Sequence, residues 1–235
     1  MTGKTWAAAF FDDEVMAALT QKILGMERGK RLPSERELAS ELGVSRTALR
    51  DRLSRLESMG ILERRTGAGT FVRGLQPESV SESLVLGLMA SQMTVASIRS
   101  VRFALERQAA FEAAQRVNHI EVARMAVALD RMDASDDNAE LYDADLAFHR
   151  ALFATSESPA LIFFADVLHG VLSRTVQVLA LSEDRVRMRK LHRAIYEAVA
   201  KHDPAEAMKA VDAHFAWLEE LVAADSSETD NISVL

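Results

Sequence analysis

Residues 32–50 read LPSERELASELGVSRTALR, and this stretch decides the fold of the N-terminal part of the chain. Ser34 and Glu37 have the spacing of a capping box, which predicts that a helix begins there. Gly43 is placed to end that helix, and Ser45 is placed to cap the next one. Because a short glycine-containing turn joins the two helices, the stretch predicts a helix-turn-helix.

The flanking residues extend this motif on both sides. Apolar spacing predicts a further helix before it, and after it two short apolar segments flank a glycine-rich tip, which is typical of a β-hairpin. The predicted helices cover 12–27, 34–42 and 45–59, and the predicted strands cover 61–65 and 69–72. Together these elements predict a winged helix-turn-helix over residues 1–75.

From residue 76 onward the hydrophobic pattern has only the helical period. The predicted helices cover 78–91, 94–116, 119–133, 139–155, 159–181, 184–201 and 204–224. We therefore predict a mainly α protein, in which the winged helix-turn-helix is followed by an antiparallel bundle of about seven helices over 76–225. Residues 226–235 are polar, and we expect them to form a disordered tail.

The 235-residue chain carries a net charge of −7, and this charge is unevenly distributed. Residues 1–75 contain 13 Lys and Arg against 10 Asp and Glu, which leaves 15 against 25 for residues 76–235. A basic excess at one end is typical of a small domain that meets phosphates. The absence of cysteine excludes disulfides and thiolate metal sites. With no long apolar run and no signal-peptide pattern, we expect a cytoplasmic protein that does not enter a membrane.

Four residues with metal-binding side chains fall on apolar faces of the predicted bundle: Asp145, His149, His192 and His214. Asp145 and His149 lie one turn apart on the same helix face. Burial of a charge or of an unpaired imidazole is costly, whereas a divalent metal would use all four side chains as ligands. A lone inward histidine is more simply a hydrogen-bonded core residue. For the remaining histidines, His119, His169 and His202, we expect surface or capping roles.

Several N-terminal segments resemble the GntR family of winged-helix repressors: Leu32–Ala39, Gly43–Arg46, Leu49–Arg50 and Gly67–Val72. The resemblance covers about residues 12–73 and implies binding to double-stranded DNA. It implies that Arg36 contacts the DNA and that Ser45 and Thr47 support the recognition helix. It also implies that Gly67 lets the backbone of the wing tip approach the minor groove.

Arg46 and Arg50 are the candidates for reading the base sequence. They lie one turn apart at the start of the recognition helix, whose N-terminal turns face the major groove in such proteins. An arginine fork can pair with the O6/N7 edge of guanine, for about 1–3 kcal/mol of discrimination. Arg64 and Arg65 in the wing are weaker candidates. The alternative for each arginine is a solvated charged surface.

The bundle resembles the FadR-like branch of the same family, with its metal-containing all-helical (FCD-type) sensor domains. The resemblance rests on the spacing of Asp145 and His149, on His192 within the segment HRAI, and on His214 near the end of the last helix. It implies that these four residues bind a divalent ion, with zinc and nickel as the favoured ions. It also implies that some coordination positions of the ion stay open for water or for an effector carboxylate.

The same resemblance implies two arginine contacts to the effector. Arg102 matches an arginine of the family pattern, and Arg174 is a weaker candidate of the same kind. Either side chain would supply a charge-assisted hydrogen bond to a carboxylate. The alternative for Arg102 is an ion pair within the chain, with a carboxylate such as Glu106.

These observations predict a metabolite-responsive transcription regulator and not an enzyme. Among regulators, they favour a repressor. We expect a homodimer on a two-fold symmetric operator, with a small organic or sugar acid as effector and the bundle as effector-binding and dimerisation domain. The alternatives are a metalloenzyme fused to a DNA-binding domain and a regulator with a purely structural metal.

Overall fold

The computed structural model describes residues 11–91, 95–116, 118–172 and 185–228. The helices in these residues are α1 (Glu14–Leu24), α2 (Glu35–Leu42), α3 (Arg46–Ser58), α4 (Pro77–Ala90), α5 (Val95–Arg116), α6 (His119–Ala134), α7 (Asn138–Thr155), α8 (Pro159–Leu172), α9 (Arg185–Ala200) and α10 (Pro204–Glu228). The strands are β1 (Leu62–Arg65) and β2 (Gly69–Val72). The chain divides into two compact units, Met1–Val80 and Ser81–Leu235. Among the described helices, none has the length and apolar character needed to cross a membrane.

The first unit contains a helix-turn-helix formed by α2 and α3. The Ser34 hydroxyl accepts a hydrogen bond from the Glu37 amide at 3.3 Å, and the Glu37 carboxylate accepts one from the Ser34 amide at 2.8 Å. Gly43 ends α2 with a φ of 67°, a left-handed conformation that strains other residues. These helices and α1 enclose an apolar core that includes Met16, Leu19, Leu38, Leu49, Leu53 and Leu56.

The wing is the antiparallel hairpin of β1 and β2, with Leu62 opposite Val72. Both of these side chains are buried in the core of the first unit, which fixes the base of the wing beside α3. The segment before α2 joins the hairpin through a bridge between Arg31 and Phe71. The wing is therefore held to the helices at its base while its tip projects.

The second unit is built around α5, which contacts α7, α8, α9 and α10. Helices α6 and α7 pack along each other, and α9 packs on both α6 and α10. Ala109, Ala110 and Ala113 on α5 are fully buried, and their small size lets the neighbouring helices approach closely. Glu106 lies one turn earlier on the same face and is also fully buried. Helix α5 therefore carries a charged group into the middle of the bundle.

The predicted fold class is confirmed, because a winged helix-turn-helix is followed by seven helices, α4–α10, within the described residues. Two helix ends differ from the prediction by three or more residues. Helix α1 ends at Leu24 because the chain turns at Gly25, whereas the predicted end was residue 27. Helix α10 continues to Glu228, whereas the predicted end was residue 224, because no glycine or proline follows residue 224 to end the helix. Residues 173–181 of one predicted helix and residues 229–235 of the tail lie outside the described residues.

Candidate DNA interface and candidate metal centre

The residues predicted to meet DNA all lie on the surface of the first unit. The predicted contacts are all exposed: Arg36, Ser45, Arg46, Thr47, Arg50 and Gly67. Ser45 caps α3, because its hydroxyl accepts a hydrogen bond from the Ala48 amide at 3.1 Å. The cap starts the recognition helix at a point where Arg46 and Thr47 are exposed.

The arginines of α3 differ in their partners. Arg52 donates to the Ala48 carbonyl at 2.8 Å and pairs with Asp13 at 2.9 Å, so it ties α3 to the start of α1. Arg50 Nε lies 2.6 Å from Glu35 Oε2 across the helix-turn-helix, and its side chain is 60% exposed. For Arg46 no ion pair is found among the described residues. Arg46 and Arg50 therefore remain available to a ligand that approaches this face.

The wing tip is a glycine-containing turn between β1 and β2. Gly67 has a φ of 72°, and no atom lies near the position that its Cβ would occupy. Arg65 is held by Glu63 at 3.0 Å, and its guanidinium lies 4.5 Å from the centre of the Phe71 ring. Arg64 pairs with a glutamate of α3 at 3.5 Å. Both wing arginines thus have partners within the chain.

In the second unit three helices bring His149, His192 and His214 together, and Asp145 lies beside His149 and His192. Helix α7 supplies Asp145 and His149, α9 supplies His192, and α10 supplies His214. The three histidines are at most 4% exposed. His192 Nε2 lies 2.9 Å from Asp145 Oδ1 and 3.3 Å from His149 Nε2, and His149 Nε2 lies 3.6 Å from Asp145 Oδ1.

Three nitrogen atoms, one from each histidine, lie within 4.8 Å of one another. Metal–nitrogen bonds of about 2.0–2.1 Å place neighbouring ligand atoms about 3 to 3.5 Å apart. The separations around His192 Nε2 fall close to this range. The donor set, three imidazoles and one carboxylate, suits zinc, nickel and similar first-row divalent ions.

The other nitrogen of each ring tests whether a cation fits this cluster. His192 Nδ1 lies 2.8 Å from the Met188 carbonyl and must donate to it, so in the neutral ring Nε2 carries the lone pair. His149 Nδ1 lies 2.9 Å from Glu106 Oε2, although not aligned as in a straight hydrogen bond, and this contact favours a proton on Nδ1. If both rings are neutral, the lone pairs of the two Nε2 atoms face Asp145 Oδ1, so either protons or a cation must lie between these three atoms. Such a convergence of acceptors fits a bound cation.

The burial of His214 is a second, independent indication that this cluster binds a ligand. Both of its ring nitrogens are buried without a hydrogen-bond partner among the described residues. A buried polar group with no partner costs about 1–3 kcal/mol, so a native histidine in this position calls for a ligand. The His214 ring lies 4.6 Å from the His192 ring and 5.2 Å from the His149 ring, centre to centre.

The pKa shifts of His149, Glu106 and Asp145 show that the surroundings of His149 favour positive charge. Burial would lower the pKa of His149, but Glu106 and Asp145 outweigh burial and raise it to about 9. Burial would raise the pKa of Glu106, but His149 and Arg102 lower it to about 2. The pKa of Asp145 is likewise held well below its usual value, against burial, by the neighbouring histidines. The two carboxylates are therefore charged, and Arg102 alone supplies a permanent positive charge beside them.

Arg102 has the partner that was the alternative in the sequence analysis. Its Nε lies 2.5 Å from Glu106 Oε1, and its side chain is 28% exposed. A small cavity of about 30 Å³ adjoins this pair and is lined, among other residues, by His149, Arg150 and His169. This volume is roughly that of one water molecule. An organic acid would therefore have to displace protein groups to reach Arg102 in this arrangement.

Three further residues differ from their predicted roles or lie outside the described part of the chain. Arg174 lies outside the described residues. Glu106 was expected only as a partner of Arg102, yet it also contacts a histidine; its burial could have been read from its place on the alanine face of α5. His169 was expected at the surface or as a cap, but it is half-buried and lines the cavity. No pattern in the sequence indicates this position.

The two units match two protein families. Residues 11–72 match the family described as "Bacterial regulatory proteins, gntR family". Residues 97–216 match the FCD domain, and this match alone spans more than half of the chain. The first match contains the helix-turn-helix and the wing, and the second contains all four candidate metal ligands.

Whole-chain relatives agree with these matches. The chain is 29% identical to the HTH-type transcriptional regulator LutR of Bacillus subtilis (strain 168), over 84% of this chain and 94% of the relative. It is 31% identical to a protein of Escherichia coli (strain K12) named as an L-lactate dehydrogenase operon regulatory protein, over 88% of this chain and 82% of the relative. The solved structure of Streptococcus agalactiae GntR is similar in fold, with a TM-score of 0.69 at 23% identity, over 88% of this chain and 98% of that one.

These relatives are named as transcription regulators, not as enzymes, which sets aside the metalloenzyme alternative. Both matched families cover the described structure in the expected order, with the DNA-binding unit first and the helical unit second. The chain belongs to the GntR family of bacterial regulatory proteins and is a DNA-binding transcription regulator with a C-terminal FCD domain.

Proposed function

We propose that this regulator binds one divalent cation through Asp145, His149, His192 and His214 and responds to a small organic acid. The observation that carries this proposal is the convergence of three buried imidazoles, with Asp145 beside two of them and both nitrogens of His214 lacking a partner among the described residues. Met188 and Glu106 fix the outer nitrogens of two histidines, as residues behind metal ligands commonly do. When bound, the cation would supply an electrophilic position for a carboxylate.

Charge supports an anionic effector. Glu106 and Asp145 contribute two negative charges and Arg102 contributes one positive charge, so a divalent cation would make the site net positive. A positively charged and largely buried site favours an anion over a neutral ligand. Arg102 would exchange its bond to Glu106 for a bidentate contact with the effector carboxylate. By the family resemblance, Arg174 would make a second contact of this kind.

The names of the relatives narrow the effector class. One relative is named for an L-lactate dehydrogenase operon. A 2-hydroxy carboxylate such as L-lactate carries the anion that Arg102 would bind and a hydroxyl that suits a metal ligand position. Small 2-hydroxy acids and sugar acids are therefore the first effectors to test.

DNA reading belongs to the first unit. Arg46 and Arg50 would contact base edges in the major groove, while Arg36, Ser45 and Thr47 would hold phosphates or support the helix, and Gly67 would bring the wing near the minor groove. We propose a cytoplasmic homodimer that represses from a two-fold symmetric operator. Effector binding would change operator affinity by as much as it discriminates between DNA-competent and DNA-incompetent states, typically about 1–3 kcal/mol.

Elemental analysis of untagged protein tests the metal site. We expect one zinc or nickel ion per chain, lost in the variants Asp145→Ala and His214→Ala. Asp143→Ala and His202→Ala are matched controls, because both side chains are exposed, and these variants should keep the ion. A metal-free wild-type protein, even after reconstitution with zinc and nickel, would contradict the proposal.

The variant Arg102→Ala separates a sensing site from a purely structural metal. If the site senses a carboxylate, this variant keeps the metal but loses the response of DNA binding to L-lactate or a related acid. DNA binding measured by fluorescence anisotropy, with and without acid, provides the readout. An unchanged response in Arg102→Ala would favour the structural metal and place the effector elsewhere.

A further inference from the structure

Glu35 stands out on the DNA-facing surface because it is an acidic residue among cations. It is the first residue of α2 and belongs to the first turn of that helix. Its Oε2 lies 2.6 Å from Nε of Arg50, on the recognition helix. A carboxylate next to DNA phosphates weakens binding by repulsion, so its presence here needs a compensating role.

The geometry of the pair suggests that role. Glu35 holds the guanidinium of Arg50 by the Nε atom, which leaves Nη1 and Nη2 without a partner from this carboxylate. Those two nitrogens form the end of the arginine fork, which can donate two parallel hydrogen bonds to the O6/N7 edge of guanine. A flexible arginine that is held at one end loses less conformational entropy when it binds a base.

The neighbouring arginines provide the contrast. Arg46 lies one turn earlier on the same helix, and no ion pair is found for it or for Arg36 in the described parts of the chain. Only Arg50, of these three exposed arginines, is braced by a residue from the other helix of the motif. Glu35 is itself 29% exposed in its side chain, so the packing of α2 and α3 partly fixes its position.

We propose that Glu35 is a positioning residue that sets base specificity by orienting the Arg50 fork toward one base pair in each half-site. This inference rests on the proposed role of Arg50 in reading a base. Glu35 itself makes no contact with the base, and its negative charge repels the phosphates of every DNA sequence alike. Glu35 therefore raises the specificity for one base and lowers the affinity for DNA in general.

The variant Glu35→Gln has a signature that a merely structural role would not produce. Loss of the brace should reduce the preference for guanine at one position per half-site about 3- to 10-fold, as part of the discrimination that an arginine fork supplies. Loss of the negative charge should at the same time strengthen binding to unrelated DNA about 2- to 5-fold at low salt. A simple folding defect would weaken both.

Glu41→Gln is the matched control. Glu41 is also an exposed glutamate of α2 in an ion pair, with Lys22 at 2.7 Å, but this pair faces α1 and not the recognition helix. We expect this variant to keep the base preference of the wild type.

The experiment uses the full chain and begins with selection from a library of randomised 30-base-pair duplexes. Fluorescence anisotropy then compares the selected duplex, its single-base variants and an unrelated duplex for wild type, Glu35→Gln, Glu41→Gln, Arg50→Ala and the double variant. We expect Arg50→Ala to lose one guanine preference, Glu35→Gln to weaken it, and the double variant to match Arg50→Ala.

Two other results would distinguish the base-reading role of Arg50 from the positioning role of Glu35. If Arg50→Ala loses a guanine preference that Glu35→Gln keeps in full, the positioning role of Glu35 is wrong and the role of Arg50 stands. If Arg50→Ala keeps every base preference, Arg50 does not read a base, and both statements are overturned. Thermal unfolding followed by circular dichroism confirms that each variant is folded.

Discussion

The two units place their functional residues in opposite environments. In the first unit the candidate DNA contacts are exposed, and the buried cluster beneath them is apolar. In the second unit Glu106, His149, His192 and His214 are buried in the middle of the bundle. An exposed arginine costs little wherever it stands, so only a motif identifies its role. A buried charge or imidazole is expensive, so its position alone indicates a ligand.

This difference predicts how each unit couples function to stability. The DNA-facing arginines can be replaced with little effect on folding, because solvent covers them. The residues of the buried cluster cannot, because they are buried and Glu106 and the three histidines are linked by contacts through His149. Function in the second unit is therefore inseparable from its stability.

Removal of the metal should give the largest effect and confine it to one unit. A cation present at a thousand times its dissociation constant stabilises the folded state by about 4 kcal/mol. A strong chelator should lower the free energy of unfolding by that order. Hydrogen exchange followed by mass spectrometry should show faster exchange in peptides from 97–216 and unchanged exchange in 11–72.

The variant His214→Ala is the control for this comparison, since it should show no difference with and without chelator. Equal loss of protection in both units of the wild type would mean that the metal stabilises the whole chain. That result would break the proposed separation of the two environments.

Glu106→Gln tests the buried site without touching a proposed ligand. The amide keeps the shape but removes the charge beside His149 Nδ1 and Arg102 Nε. Loss of a partner behind a metal ligand typically lowers metal affinity about 10- to 100-fold. Competition with a fluorescent zinc chelator measures this change.

Glu112→Gln is the matched variant for this test. Glu112 lies on the same helix and pairs with Arg116 at 3.6 Å, away from the histidines. Its metal affinity should equal that of the wild type. If both variants lose affinity equally, helix α5 acts through general packing and Glu106 has no special role.

Local sequence patterns account for most of the fold and of the site. The capping box of Ser34 and Glu37 predicted where α2 begins, and both of its hydrogen bonds are present. The four-residue spacing of Asp145 and His149 predicted that one helix would present both side chains. These features depend on residues three or four apart, and the chain geometry alone fixes such contacts.

The remaining contacts depend on how helices cross, which no local pattern contains. Glu35 and Arg50 are fifteen positions apart, and they meet only because α2 and α3 cross at a particular angle. Glu106 and His149 meet because α5 packs on α7. The sequence gives the residues of both pairs but does not indicate that these pairs form.

Two glycine substitutions should sharpen the comparison by moving stability in opposite directions. Gly67 has a φ of 72° at the wing tip, so Gly67→Ala should destabilise the first unit by about 1–2 kcal/mol. Gly87 lies within helix α4 with open space around its Cβ position, so Gly87→Ala should stabilise by about 0.5–1 kcal/mol. Urea unfolding measures both changes, and equal signs would contradict the assigned backbone conformations.

The smallest effect concerns pH at the start of α2. The hydroxyl and the amide of Ser34 both donate to the Glu37 carboxylate and hold the pKa of Glu37 below its usual value. A lowered pKa means that the folded state prefers the charged carboxylate. This contribution to stability is therefore present above the unfolded pKa of about 4.3 and is lost as the pH falls through the folded pKa.

NMR titration of the Glu37 carboxyl checks this prediction against two serine variants. Ser34→Ala removes the hydroxyl donor and should move the titration midpoint back toward the usual value. Ser40→Ala removes an exposed hydroxyl later in the same helix and should leave the midpoint unchanged. A midpoint that stays low in Ser34→Ala would assign the shift to the start of the helix itself, where backbone amides attract negative charge, and not to the capping box.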